Sequence, residues 1–355
     1  MTATVLIDVE RLRSPANGLG QVARHLGSAL LDCHSELWRP VFLMPPGGEH
    51  RLGESVDHIS ADWRRRHFPS LGRRFDLWHV THQDAAFLPP RDTPCLLTIH
   101  DLNFLTEKTL TKARRRLARV QRLVDRAARI TTISAFTREV VLEHLRIGAR
   151  PVDVVPNAPC LATGLTPERP NGAPEGPYVL ALGVVRPKKN LHVLPAFLSE
   201  VPGTGLCVAG NTDSTYVDRV RSEAQKYGVS DRVHVLGEVS ESEKQWLLQQ
   251  CEALVFPSRL EGFGLPVIEA MSHGKPVFCS RCASLPEIGG DAAFYWETFD
   301  PASMARVFNE AMARFATDDA LAERCRSRAA EFSWPAAARA YGAIYTSMLS
   351  EVAAT

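Results

Sequence analysis

The chain has 355 residues, 45% of them hydrophobic, with 41 Lys+Arg against 40 Asp+Glu. That length exceeds what one hydrophobic core usually supports, so two domains are expected, and the near-neutral charge argues against a nucleic-acid binder. No run reaches the ~18 apolar residues of a membrane span, and eight scattered cysteines fit reduced cytosolic thiols.

The charge is unevenly spread. Residues 1–170 hold 24 Lys+Arg and 18 Asp+Glu, a balance of +6, and the remainder carries −5. An anionic surface or acceptor is therefore expected on the first half.

Short apolar runs recur at 5–9, 41–44, 77–80, 96–99, 130–133 and 152–155, then at 178–182, 206–209, 233–236, 253–256 and 276–278. Alternating with amphipathic stretches, they read as buried strands of parallel sheets covered by helices. The expected organisation is an N-terminal domain over 1–160, a Pro- and Gly-rich linker over 161–177, and a second domain over 178–333. A final helix over 334–355 follows. The N-terminus enters a strand directly, with no signal peptide ahead of it, which points to the cytoplasm.

Following the first strand, Ser14-Pro-Ala-Asn17-Gly18-Leu-Gly20 reads as a loop whose glycines let the backbone lie against a phosphate or an acceptor. It is not a dinucleotide fingerprint, since Ala23 stands where G-x-G-x-x-G needs its third glycine. Trp63-Arg-Arg-Arg66-His-Phe68 is a basic-aromatic patch. Thr98-Ile-His100-Asp101-Leu102 ends a strand with a histidine where a cleft residue would sit, and Asp101 either orients it or caps the next helix. Residues 112–129 hold eight cations against Asp125 alone. Leu117, Val120 and Val124 recur there at helical spacing, so a basic amphipathic helix is expected, either a solvated face or a contact for an anionic membrane.

In the second half, Leu182-Gly183-Val-Val-Arg186-Pro187-Lys188-Lys189-Asn190-Leu191 places cations just past a strand, where they can neutralise a diphosphate leaving group. Gly210 and Gly237 each finish a strand. Cys279-Ser-Arg-Cys282 has no second pair to complete a metal site. The most specific string is Pro257-Ser-Arg-Leu-Glu261-Gly262-Phe263-Gly264-Leu265-Pro266-Val-Ile-Glu269-Ala-Met271. Pro266 opens a helix there, with Glu269 in its first turn and Glu261 in the preceding loop. The helix end supplies amides and a positive dipole for phosphate, and the carboxylates can accept hydroxyls on either side.

These residues resemble the signature of the retaining glycosyltransferases of family 4. Their fold is GT-B, an α/β arrangement of two Rossmann-like doubly wound domains with a cleft between them and a C-terminal helix crossing back onto the first. The resemblance extends to Pro-Lys188-Lys189-Asn-Leu, Thr-Ile-His100-Asp-Leu and Gly18-Leu-Gly20, spanning nearly the whole chain. It implies His100, Glu261 and Lys189 as catalytic residues. The donor would be bound by Gly18, Gly20, Arg186, Lys188, Lys189, Gly210, Gly237, Glu261, Gly262, Phe263, Gly264, Leu265 and Glu269, the last on ribose hydroxyls. Val184 stands where many relatives carry arginine, so which cation meets the diphosphate is open between Lys189, Lys188 and Arg186. No Asp-x-Asp occurs, in keeping with metal-independent transfer and no cofactor beyond the nucleotide sugar. The pattern is most similar to bacterial enzymes of polysaccharide and lipopolysaccharide synthesis, which implies GDP-mannose as donor and a saccharide or lipid-linked acceptor. The rival readings are a sugar-nucleotide epimerase or hydrolase, or a non-catalytic glycan-binding subunit.

Overall fold

Parallel pairing governs both halves of the chain. The computed structural model describes all residues except 1, 15–16, 34, 54–55, 68–72, 162–163, 213–214 and 354–355. It divides into two units, Met1–Ala158 with Phe332–Thr355, and Pro159–Glu331.

In the first unit, β1 (Ala3–Asp8), β2 (Trp38–Met44), β3 (His58–Ser60), β4 (Leu77–Val80), β5 (Cys95–Ile99), β6 (Arg129–Thr132) and β7 (Val152–Val154) form one sheet. Its order is β3-β2-β1-β4-β5-β6-β7, parallel throughout. β4 and β5 bury every residue, which is why they stand out as continuous apolar runs. β3 escapes sequence reading because a three-residue edge strand with both ends exposed has no apolar run to find. Strand order reverses between β1 and β4, so the loops leaving these two strands are neighbours at the carboxyl end of the sheet.

The second unit repeats the plan with β8 (Tyr178–Leu182), β9 (Gly205–Ala209), β10 (Val233–Gly237), β11 (Ala253–Phe256), β12 (Val277–Ser280) and β13 (Phe294–Trp296). Their order is β10-β9-β8-β11-β12-β13, again parallel. The reversal here falls between β8 and β11. The segment 161–177, expected as a linker, is tied to this unit rather than free. The Glu168 amide donates to the Ser242 carbonyl at 3.3 Å, and the Arg169 guanidinium lies 5.8 Å from the Trp246 ring centroid.

The last helix, Trp334–Ala353, belongs to the first unit. Ala337, Tyr341, Ile344, Tyr345 and Met348 recur at helical spacing and are buried with Ile7, Trp38 and Phe42 in one core cluster. Gly342 permits the close approach, since a Cβ there would lie 3.2 Å from the Trp38 ring. Beneath the helix, His79 is fully buried. Its Nδ1 meets the Tyr345 hydroxyl and its Nε2 the Thr98 hydroxyl, each at 2.7 Å. Burial pushes the His79 pKa down to about 3, so the ring is neutral and donates through one nitrogen only. Tyr345→Phe is expected to cost about 1–3 kcal/mol, because it strands a buried imidazole nitrogen. Urea unfolding of the full chain measures this, and an unchanged midpoint would show that the bond contributes nothing.

Candidate active site

In the second unit the loops leaving β8 and β11 meet at the switch point. After β8 the chain turns at Gly183 (φ +122°) into a single 3₁₀ turn, Pro187–Lys189, closed by Asn190 in the left-handed region at φ +57°. The β11 loop docks on it, with the Arg259 amide donating to the Lys188 carbonyl at 2.8 Å. This brings Lys189 Nζ to 2.7 Å from Glu261 Oε1, with the two side chains only 13% and 12% exposed. The Phe256 ring lies 4.5 Å below the ammonium, and Ser258 Oγ donates to the same Glu261 oxygen at 2.5 Å. Glu261 Oε2 has no hydrogen-bond partner among the described residues. Lys189 is thus the cation set against the carboxylate, whereas the Arg186 side chain is exposed and Lys188 half-buried.

Buried serines hold this loop from beneath. Ser284 Oγ reaches the carbonyls of Phe263 at 2.8 Å and Glu261 at 3.1 Å, and Ser280 Oγ donates to the Ser258 carbonyl. The Phe263 ring is buried, so what it offers a ligand is backbone. Gly183, Gly210 and Gly237 pack the strand ends together. The Gly210 amide donates to the Gly237 carbonyl at 2.7 Å, and a Cβ on Gly210 would stand 2.2 Å from the Gly183 carbonyl oxygen.

The helix after the loop spans Leu265–Ser272, one residue earlier than expected, because Gly264 serves as its N-cap at φ +110°. Glu269 therefore lies beyond the first turn, not within it. It is also more enclosed than the sequence implies, 4% exposed. Lys244, which no motif flagged, stands 3.4 Å from its Oε1. Burial pushes the Glu269 pKa up, and Lys244 opposes that shift. The one signal available was a lysine four residues past Ser240 on the face that Leu247 and Leu248 bury.

In the first unit, His100 follows β5 and is buried. Its Nε2 lies 2.9 Å from the Thr81 carbonyl, which can only accept, so Nε2 carries the proton and Nδ1 is left as the acceptor. Burial holds its pKa below the ordinary value, so the ring is neutral near pH 7. Gln83 fixes the turn, accepting from the His100 amide at 3.0 Å and donating to the Asp101 carbonyl at 2.8 Å. Asp101 Oδ1 accepts the Asn103 amide at 2.9 Å, a local cap ahead of the short helix Phe104–Glu107.

Two neighbours were not foreseen. His82, after β4, holds its ring tilted 34° to that of His100 with centroids 5.3 Å apart, and Arg11, after β1, reaches His82 Nδ1 at 3.2 Å. Arg11, Leu19, Thr81, His82, His100 and Asn157 line one pocket. They come from segments that leave β1, β4, β5 and β7 at the carboxyl end of the sheet. Gly18 and Gly20 lie in the first turn of the helix Gly18–Leu31, not in a free loop, because the Asn17 side chain caps that helix through the Gly20 amide at 2.8 Å. Pro15 and Ala16 lie outside the described residues.

The basic segment is shorter as a helix than expected. It spans Leu110–Val124, and Arg129 already belongs to β6, paired with Leu96. Arg116 pairs with Asp84 and sits 4.6 Å from the Phe104 ring centroid, and Arg129 pairs with Asp153 at 2.7 Å. Lys112, Arg114, Arg115 and Arg122 are exposed on its outer face. The short helix Trp63–His67 is also exposed, and Phe68 lies outside the described residues. Among the described residues, no helix is long and apolar enough to cross a membrane.

Residues 18–158 match the family described as Glycosyltransferase Family 4, and residues 166–332 match Glycosyl transferases group 1. The chain belongs to this glycosyltransferase family and has its two-domain GT-B fold. It is 26% identical over 274 residues to the O-antigen chain mannosyltransferase B of Escherichia coli, covering 72% of this chain and 71% of that one. It is 28% identical over 313 residues to a glycogen synthase of Mycobacterium tuberculosis, covering 83% of this chain and 72% of the relative. Among solved structures, Anabaena Alr3699/HepE in complex with UDP and glucose superposes with a TM-score of 0.76 at 16% identity, over 97% of this chain and all of that one.

Proposed function

We propose that this glycosyltransferase moves a hexose, with retention and without a metal, from a nucleoside-diphosphate sugar to a saccharide or lipid-linked acceptor in surface-glycan synthesis. The observation that carries the reading is the Lys189–Glu261 pair at the β8–β11 switch point. A diphosphate arriving there gives Lys189 a second anion to neutralise, and the amides opening the helix Leu265–Ser272 add their dipole. Glu261 then turns its unpartnered oxygen to a sugar hydroxyl, and Glu269 takes the ribose. His100 accepts a hydrogen bond from a sugar hydroxyl through Nδ1. In the retaining course the departing β-phosphate takes the acceptor's proton on the same face of the sugar that is attacked. Mannose is the proposed sugar and GDP the proposed nucleotide, supported by the likeness to an O-antigen mannosyltransferase.

The exposed cations of the helix Leu110–Val124, with Trp63 at 65% and Leu110 at 76% exposure, support peripheral contact with an anionic cytoplasmic membrane face. Each basic residue there contributes about 1 kcal/mol.

Calorimetry with UDP-, GDP-, ADP- and dTDP-sugars in the presence of EDTA tests the donor site. GDP-mannose is expected to bind most tightly, and proton NMR of the transfer product to show the donor's own α configuration. Tighter binding of another nucleotide would replace the donor, an inverted product would remove the retaining mechanism, and donor turnover without any acceptor would favour a hydrolase or epimerase.

A further inference from the structure

Lys244 is a buried ammonium with its partners close at hand. It lies on the helix Glu241–Gln250, 2.9 Å from Glu241 Oε2, 2.9 Å from the Cys160 carbonyl and 3.4 Å from Glu269 Oε1. Three acceptors surround a group that has three protons to give. The Cys160 amide in turn donates to the Glu269 carboxylate. Glu269 and Lys244 therefore share a site largely shielded from water, with the half-buried Glu241 at its edge, and there an unneutralised carboxylate takes up a proton instead.

We propose that Lys244 is a positioning residue for nucleotide binding: it keeps the Glu269 carboxylate ionised and oriented, so that its spare lone pairs accept the ribose hydroxyls of a nucleoside diphosphate. The proposal rests on the reading of Glu269 as the ribose ligand. A carboxylate has about four acceptor sites, of which the ammonium and the Cys160 amide take two. A protonated Glu269 would lose acceptor capacity and present a hydroxyl to hydroxyls. The titratable groups acting on Glu269 are Lys244 and Glu241 from one helix and Cys160 from the segment before it, and burial holds the Cys160 thiol neutral. Among the described residues, Lys244 is therefore the cation that opposes both desolvation and the repulsion of Glu241.

The test is calorimetric binding of UDP, GDP, ADP and dTDP to the full chain, with the tightest followed from about pH 6 to about pH 9. The native chain is expected to lose less affinity toward pH 6 than the variant without the ammonium, because Lys244 opposes the upward shift of Glu269. Lys244→Met, close in shape and uncharged, is expected to bind about tenfold more weakly or worse near pH 6 and to recover as Glu269 loses its proton at higher pH. The sign follows from the ionised form being the binding form. Lys244→Arg should track the native chain, and adding Glu269→Gln to Lys244→Met should abolish the pH dependence. Should Lys244→Met not fold by circular dichroism, Lys244→Met with Glu241→Gln leaves one carboxylate in place of two and carries the same comparison. Weakening by one constant factor at every pH, or no weakening, would overturn the proposal and leave the donor site standing. A native chain that binds none of the four diphosphates removes the donor site and this proposal together.

Discussion

Lys189→Ala is expected to lower sugar transfer by about 10²–10³-fold while the chain stays folded. On the proposed reading, the ammonium meets the charge that develops on the departing diphosphate. It is also largely excluded from water, 13% exposed and above the Phe256 ring, so its field is weakly screened. Its loss also leaves Glu261 with Ser258 as its remaining side-chain partner among the described residues. Part of the deficit should therefore be a misplaced carboxylate rather than a missing cation. Lys189→Arg should recover little, because a planar fork does not fill a site shaped for a compact ammonium. Transfer of radiolabelled sugar and calorimetric donor binding, set beside a thermal melt, measure the effect. Activity within threefold of the native chain would mean that Arg186 or Lys188 neutralises the phosphate instead.

Gly210→Ala is expected to destabilise the second unit by about 4 kcal/mol or more, a magnitude confined to a few mechanisms. Steric conflict is the mechanism here. The new Cβ would sit 2.2 Å from the Gly183 carbonyl oxygen, and both atoms are anchored by strand ends that cannot move apart without breaking the β8–β9 ladder. The backbone at φ +134° adds strain of its own. Gly203→Ala provides the control. It has φ +84° but nothing within 4 Å of an added Cβ, so only the conformational cost of about 1–2 kcal/mol applies. Urea unfolding of both variants separates clash from strain. Equal losses would show that the strand ends relax freely.

Much of the fold was legible because parallel strands buried on both faces leave unbroken apolar runs, and every expected run falls on a strand. The edge strands β3 and β13 were not legible: β3 is exposed at both ends and leaves no apolar run, and β13 buries only its last residue fully. Helix starts erred where a cap decides them. Asn17 draws Gly18 and Gly20 into a helix, and Gly264 starts the next one a residue early. At the candidate site, the string from Pro257 to Met271 carries both carboxylates, and Lys189 was in view with two competing cations. Lys244, His82 and Arg11 carry no motif, and the one local sign was Lys244 on the helix face that Leu247 and Leu248 bury.

The residues by themselves determined the two parallel sheets, the family, and the loops that carry charge to the strand ends, because apolar period and backbone-permissive glycine act over a few neighbouring positions. Only the tertiary structure decided which charge meets which. Lys189 and Glu261 are 72 residues apart, and His79 finds Tyr345 266 residues away. Such partners are chosen by where crossovers return the chain, at a strand-order reversal or under a returning helix. There, burial makes an unpaired charge too costly to leave.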